Sequence, residues 1–232
     1  MVFIAGLVRG FAGFALSATV MAGIAAIIPP VELIPICFIL KGAASVAMFR
    51  GGMKDADMKI VWALAIGSAI GVPIGLLATT SVDIEVSKII ALLIVLTLTI
   101  AQLCKLQPKF LATKGGLYGS GVLAGIATGL ASVGGMVVAL YVLASDTNPK
   151  NMRASLVMFL FIGMFTSLGY LFLYEVMTYK AFWRGVTMVP IVLLGVFLGN
   201  LLFRPAYTHL YKRICLLLLI FLAVAGLTKQ IF

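Results

Sequence analysis

Two glycine-studded interruptions, each set in a long apolar stretch, constrain this chain more than any other feature. The first reads Gly6-Leu-Val-Arg9-Gly10-Phe-Ala-Gly13-Phe14-Ala15-Leu-Ser17, and the second Gly125-Ile-Ala-Thr-Gly129-Leu-Ala-Ser132-Val-Gly134-Gly135. An offset of 119 residues relates Gly6 to Gly125, Gly10 to Gly129, Ala12 to Ala131 and Pro30 to Pro149. Farther on, an offset of 124 relates Gly71 to Gly195, Gly75 to Gly199 and Lys88 to Lys212. A repeated break inside apolar sequence points to discontinuous helices that expose backbone groups to a solute within a membrane.

The surroundings of the breaks exclude a soluble fold. Charged residues make up 10% of the chain and hydrophobic residues 63%, with a mean hydropathy of +1.21. A soluble domain carries roughly 25% charged residues, because its surface must face water. Eight apolar segments are expected at about 2–28, 31–49, 60–80, 86–104, 115–145, 151–174, 182–203 and 210–228. Each is long enough to cross a hydrocarbon core of about 30 Å. They are apolar on all sides and too long for transmembrane strands of about ten alternating residues. The first is also too long for a cleaved signal segment and contains Arg9, so it reads as part of the mature protein. The expected fold is an all-α integral membrane protein with about eight transmembrane segments in two repeated halves, the first segment of each half broken or re-entrant.

The halves run over 1–105 and 115–232, joined by a polar linker at 106–114 that contains Pro108. Re-entrant hairpins would leave three full crossings per half and invert the halves; full spans would make them parallel. The net charge of +10 resides in short loops, which fits positive residues retained on the cytoplasmic side better than a nucleic-acid surface. With eight crossings, one side holds Arg50, Lys54, Lys59, Lys105, Lys109, Lys114, Lys180, Arg184 and Lys229. The other holds Lys88, Lys150, Arg153, Arg204, Lys212 and Arg213, a split of nine to six that places both termini inside.

Chemistry concentrates at the breaks. Glycine permits a tight turn, and a half-helix that starts there points its N–H groups and positive dipole end at a ligand. Gly10, Gly13, Phe14, Ser132, Gly134 and Gly135 are therefore candidate anion-binding residues. Arg9 lies inside the first cluster, Lys41 lies mid-span with Ser45 one turn on, and Arg153 opens the span after the second break. Ionisable residues at such depth cost about 2.5–3.5 kcal/mol on insertion scales, which makes them functional candidates by default. Glu32 after Pro29-Pro30 is placed to favour a helix N-terminus, and it is the one carboxylate considered for proton coupling. Gly71-x3-Gly75 and Gly195-x3-Gly199 read as faces for close helix approach. Cys37, Cys104 and Cys215 read as apolar packing residues, and His209 as interfacial. No nucleophile–base pair, metal-ligand cluster or phosphate loop occurs, so an enzyme is not expected.

With these residues in hand, the chain resembles the TauE/SafE family of membrane anion permeases, the sulfite exporter group. Ala5-Gly6-Leu-Val-Arg9-Gly10-Phe-Ala-Gly13-Phe14 and Pro29-Pro30-Val31-Glu32 carry the resemblance in the first half, Gly134-Gly135 and Arg153-Ala154 in the second. The chain departs from the family pattern at Ala15, where glycine is common, and at Met136, where proline often follows the glycine pair. The resemblance implies a plasma-membrane secondary transporter of small anions such as sulfite and sulfonates. Alternating access around the two breaks is the expected mechanism; an anion channel or a non-transporting assembly subunit is the alternative. Expected partners are the small anion and the lipid bilayer, with a homodimer allowed and no nucleic acid. No cofactor and no metal are expected.

Overall fold

The computed structural model describes residues 1–106, 113–144, 149–202 and 208–231, with side chains for all of these except 50–52, 54, 114, 143–144, 149–150, 152–153, 208–212 and 231. The described residues form helices joined by short turns, with no strand among them. In chain order these are α1 (Val2–Ala12), α2 (Leu16–Ile24), α3 (Pro30–Asp55), α4 (Met58–Ser81) and α5 (Ile84–Leu103). Then follow α6 (Lys114–Ala131), α7 (Gly134–Ala144), α8 (Pro149–Leu173), α9 (Tyr179–Leu201) and α10 (Thr208–Ile231).

Local chemistry sets these boundaries. Pro30 starts α3 at a position where a missing N–H costs nothing. Asp57 caps α4 by accepting from the Lys59 and Ile60 amides, and Thr113 and Thr178 cap α6 and α9 through Gly116 and Ala181. The first apolar segment stops at Gly13, whose φ of 80° is left-handed and whose N–H donates to the Arg9 carbonyl. The fifth stops at Ser132, also left-handed at φ 59°, where the Ser132 and Val133 amides donate to Thr128 and Ala127. That pair of bonds ends a helix by reaching back to orphan carbonyls.

Six helices are long and apolar enough to cross a membrane among the described residues: α3, α4, α5 and α8, α9, α10. The protein is therefore a multi-pass membrane protein. The first and fifth of the eight expected segments are instead pairs of shorter helices, α1 with α2 and α6 with α7. The first pair folds back on itself, because Met1 packs its side chain against Gly23 at the far end of α2. In the second pair Gly134 already sits against Ala124 and Thr128 of the preceding helix. The 106–114 linker falls largely outside the described residues.

Two glycine seams organise the packing. Along α4, Gly67, Gly71 and Gly75 face Gly121, Gly125 and Gly129 of α6; along α1, Gly6 and Gly10 face Gly195 and Gly199 of α9. Residue numbers rise together on both partners, so each seam is parallel. A Cβ on Gly67 would lie 2.8 Å from the Tyr118 carbonyl oxygen, and one on Gly75 would lie 2.9 Å from the Gly129 Cα. Backbones this close are the arrangement expected of small-residue faces in lipid, where dispersion replaces the hydrophobic effect. At the centre α3 crosses α8 in the opposite sense: Gly42 lies beside Met164, and Phe49 stacks on Phe161 with ring centroids 4.6 Å apart. The remaining helix pairs include α3 with α9, α4 with α8, α5 with α10, α2 with α10 and α5 with α7.

Cys37 and Cys215 are buried as expected, but Cys104 is exposed because it follows the last turn of α5. Glu32 lies in the first turn of α3 and pairs with Arg184 of α9 at 3.3 Å, in the open rather than within the bundle. The side chain of His209 lies outside the described residues.

The seams predict a contrast. Gly71→Val drives a side chain into the Val122 carbonyl and is expected to abolish the monodisperse folded protein in detergent. Gly119→Ala meets nothing within 4 Å and is expected to change stability by no more than about 1 kcal/mol. Size-exclusion profiles and thermal melts of the two variants check this.

Candidate functional site

The two chain breaks meet at one cavity. It is lined from the first break by Arg9 and by Ala15, Leu16, Ser17 and Ala18, and from the second by Ser132, Val133, Gly135 and Met136. Lys41 of α3 and Leu160 of α8 complete it. Residues 16–18 are the first turn of α2, and Gly135 and Met136 belong to the first turn of α7. Two helix N-termini thus present their amide ends to the same space. Helix dipoles favour an anion there by about 0.3–1 kcal/mol each at exposed sites, and by more where water is excluded. No side chain caps the first turn of α2, which leaves that end available to a solute.

Arg9 is 1% exposed and holds the first break in place. Its Nη1 donates to the Gly13 carbonyl and its Nη2 to Ser45 Oγ at 2.9 Å. Because Gly13 N–H donates to the Arg9 carbonyl in turn, the side chain and main chain of one residue close the same turn from both sides. Lys41 points the other way, its Nζ 3.4 Å from the Ser132 carbonyl at the second break. That is a long contact, leaving most of the ammonium's donor capacity uncommitted to Ser132. No carboxylate is among the described lining residues, so the lining itself contributes charge of one sign, from Arg9, Lys41 and two dipole ends. A buried charge in low dielectric calls for a partner.

The Ser17 hydroxyl is buried, lines the cavity, and has no partner stronger than the adjoining Cys37 thiol. A buried donor held by no stronger partner, on the lining that Arg9 and Lys41 share, is a further place for an oxyanion oxygen to be received. The cavity is small in this conformation, about 20 Å³, which is room for about one water molecule.

Of the residues expected at the site, Arg9, Lys41, Ser132 and Gly135 line the cavity, and Ser45 supports it through Arg9. Gly13 and Phe14 form the turn itself, with Phe14 4% exposed. Gly10 faces α9 and Gly134 faces α6, so these two meet protein backbone instead of the cavity. The side chain of Arg153 lies outside the described residues. Ser17 and its neighbours in the first turn of α2 were missed by the sequence reading, which took the amides of Gly10–Phe14 as the cradle. The usable signal was positional: a helix offers its free N–H groups just after a break, not before it.

Ala15 has a φ of 70°, a left-handed conformation that glycine adopts without cost. This accounts physically for the glycine common there in the family it resembles. Ala15→Gly is expected to raise stability by about 1 kcal/mol, since alanine in that region costs about 1–2 kcal/mol and glycine returns part of it as chain entropy. A higher melting temperature in detergent checks the assignment; an unchanged or lower one counts against it.

Comparison with known proteins adds the family. A family model described as sulfite exporter TauE/SafE matches residues 1–226, and the chain belongs to that family of membrane transporters. No curated protein and no solved structure matches the chain.

Proposed function

We propose that this member of the sulfite exporter TauE/SafE family carries sulfur oxyanions or organosulfonates across the membrane by alternating access around the cavity between the two breaks. The observation that carries the reading is charge: Arg9, Lys41 and the N-terminal turns of α2 and α7 converge on one cavity with no carboxylate among its described lining residues. Arg9 and Gly13 set the shape of the first break, while Ser17, Lys41 and Gly135 receive the anion. Arg153 is retained as a candidate countercharge from the start of α8. A cavity of only about 20 Å³ fits a carrier that widens to bind better than a standing pore. Opening must part the helices around the cavity while the two glycine seams stay shut, because separating a seam would bare backbone to lipid.

The same reading covers the topology. Residues 1–105 and 115–232 each contribute a folded-back helix pair followed by three long helices, which makes the two halves inverted repeats. Matched contacts support this: α1 packs on α9 as α6 packs on α4, and α3 packs on α9 as α8 packs on α4. Inversion also redistributes the loop charges. Arg50, Lys54, Lys59, Lys105, Lys109, Lys114, Lys150, Arg153, Arg204, Lys212 and Arg213 then share one face, against Lys88, Lys180, Arg184 and Lys229 on the other. Eleven against four is a much stronger bias than nine against six, and it puts the face rich in Lys and Arg in the cytoplasm. The orientation with both termini inside is thereby replaced by its opposite.

Two measurements test these statements. Purified protein should be thermally stabilised by sulfite or a small sulfonate, and Lys41→Gln should weaken that binding at least about tenfold, since hydrogen bonds to a charged group contribute about 1.5–3 kcal/mol. Equal affinity in both proteins removes Lys41 from the site, and no stabilisation by any sulfur oxyanion overturns the substrate class. For orientation, a cysteine placed at Thr178 in a cysteine-free background should react with an impermeant thiol reagent from outside intact cells, and one at Ala56 should not. The reverse pattern restores the earlier orientation.

A further inference from the structure

A second cavity adjoins the first and shares Lys41 and Leu160 with it. Its other polar residues are Ser68 of α4, Thr128 of α6 and Ser167 of α8. Ser68 and Ser167 are 3% and 8% exposed, yet neither hydroxyl has a hydrogen-bond partner among the described residues. Thr128 donates to the Ala124 carbonyl at 2.7 Å, which leaves its oxygen lone pairs turned away from that bond. Hydroxyls on a cavity wall beside an ammonium, with no protein acceptor of their own, are able to donate to a polar occupant.

The cavity's position gives the occupant a direction. It reaches from Leu160 along α8 to Ser167, and along α3 back to Phe38. Since α3 and α8 run in opposite senses, both displacements lead toward the end of the bundle where α3 begins and α8 ends. Lys41 and Leu160 belong to both linings, and Lys41 is the one charged residue common to the two.

We propose that this second cavity is an outer anion subsite, in which Ser68 and Ser167 donate to an oxyanion that Lys41 then draws past Leu160 into the central cavity. It rests on the anion-transport reading and deepens it, because it names a route and a waiting position for the same class of solute. On the orientation argued above, the subsite communicates with the face away from the cytoplasm.

The test uses charge selectivity at a single engineered thiol and requires no transport. Ser167→Cys is made in a chain whose Cys37, Cys104 and Cys215 are replaced, and folding is confirmed by size exclusion. Its modification rates by an anionic sulfonate methanethiosulfonate and by a cationic trimethylammonium methanethiosulfonate are each normalised to those of a free thiol. The anionic reagent is expected to be favoured about tenfold, from one face of oriented vesicles only, and Lys41→Gln is expected to abolish the preference. Ser68→Cys serves in the same way should Ser167→Cys fail to fold. Absence of preference, a preference indifferent to Lys41→Gln, or no reaction from either face overturns the subsite. Failure of the permease reading is read separately: sulfite and sulfonates then give no stabilisation of the wild-type protein, whatever the reagents report.

Discussion

A helix that stops inside hydrocarbon must have its freed backbone groups satisfied by protein or by a solute, since lipid offers nothing to bond to. This chain stops twice, at Gly13 and at Ser132, and the rest of the architecture accommodates those two stops. Carbonyls left over on the N-terminal side are taken by local amides and by Arg9. Residues of the first turns of α2 and α7 line a shared cavity. The asymmetry is chemical: carbonyl acceptors are consumed by the protein at both stops, while the first turn of α2 carries no side-chain cap.

The glycine seams fix α1 and α6, and with them the two stops, against α9 and α4. Placing α1 on α9 and α6 on α4 with bare backbones in contact leaves little freedom to slide, since each glycine sits over a main-chain atom of its partner. Thr79 adds a polar clasp to one seam, its hydroxyl within 3.0 Å of the Gly75 carbonyl and 3.1 Å of the Gly129 carbonyl. Packing energy in lipid comes from such close fit and not from burial of apolar area. Rigid seams flanking a small polar cavity thus give stability and solute chemistry separate places in the fold.

Much of this was legible in the chain itself. Apolar segments, the two breaks and the deep cations follow from composition and spacing, and the helix boundaries fall within a few residues of expectation. What could not be read was partnership. Gly6 and Gly10, like Gly71 and Gly75, announce faces that want another backbone, but residue spacing does not say whose. The structure pairs Gly71 with Gly125 and Gly195 with Gly6, so the two sets of repeated glycines are each other's counterparts. Gly10 reads in the sequence as a candidate for the anion site, yet it lies against the backbone of α9. Ser17 was overlooked for a related reason: nothing local distinguishes a serine facing a cavity from one facing a neighbouring helix.

The seams also join distant parts of the chain, since α1 lies against α9 and α6 against α4, across the 107–112 connection. Residues 1–105 and 115–232 therefore exchange a helix with one another, like two hands with fingers laced. Neither portion encloses its own glycine groove, so a severed half would offer a backbone-deep furrow to lipid acyl chains. Assembly in the bilayer must then wait for the later helices to arrive before the earlier ones can settle, and the laced pairs, not the two stretches of sequence, are the natural rigid bodies of this molecule.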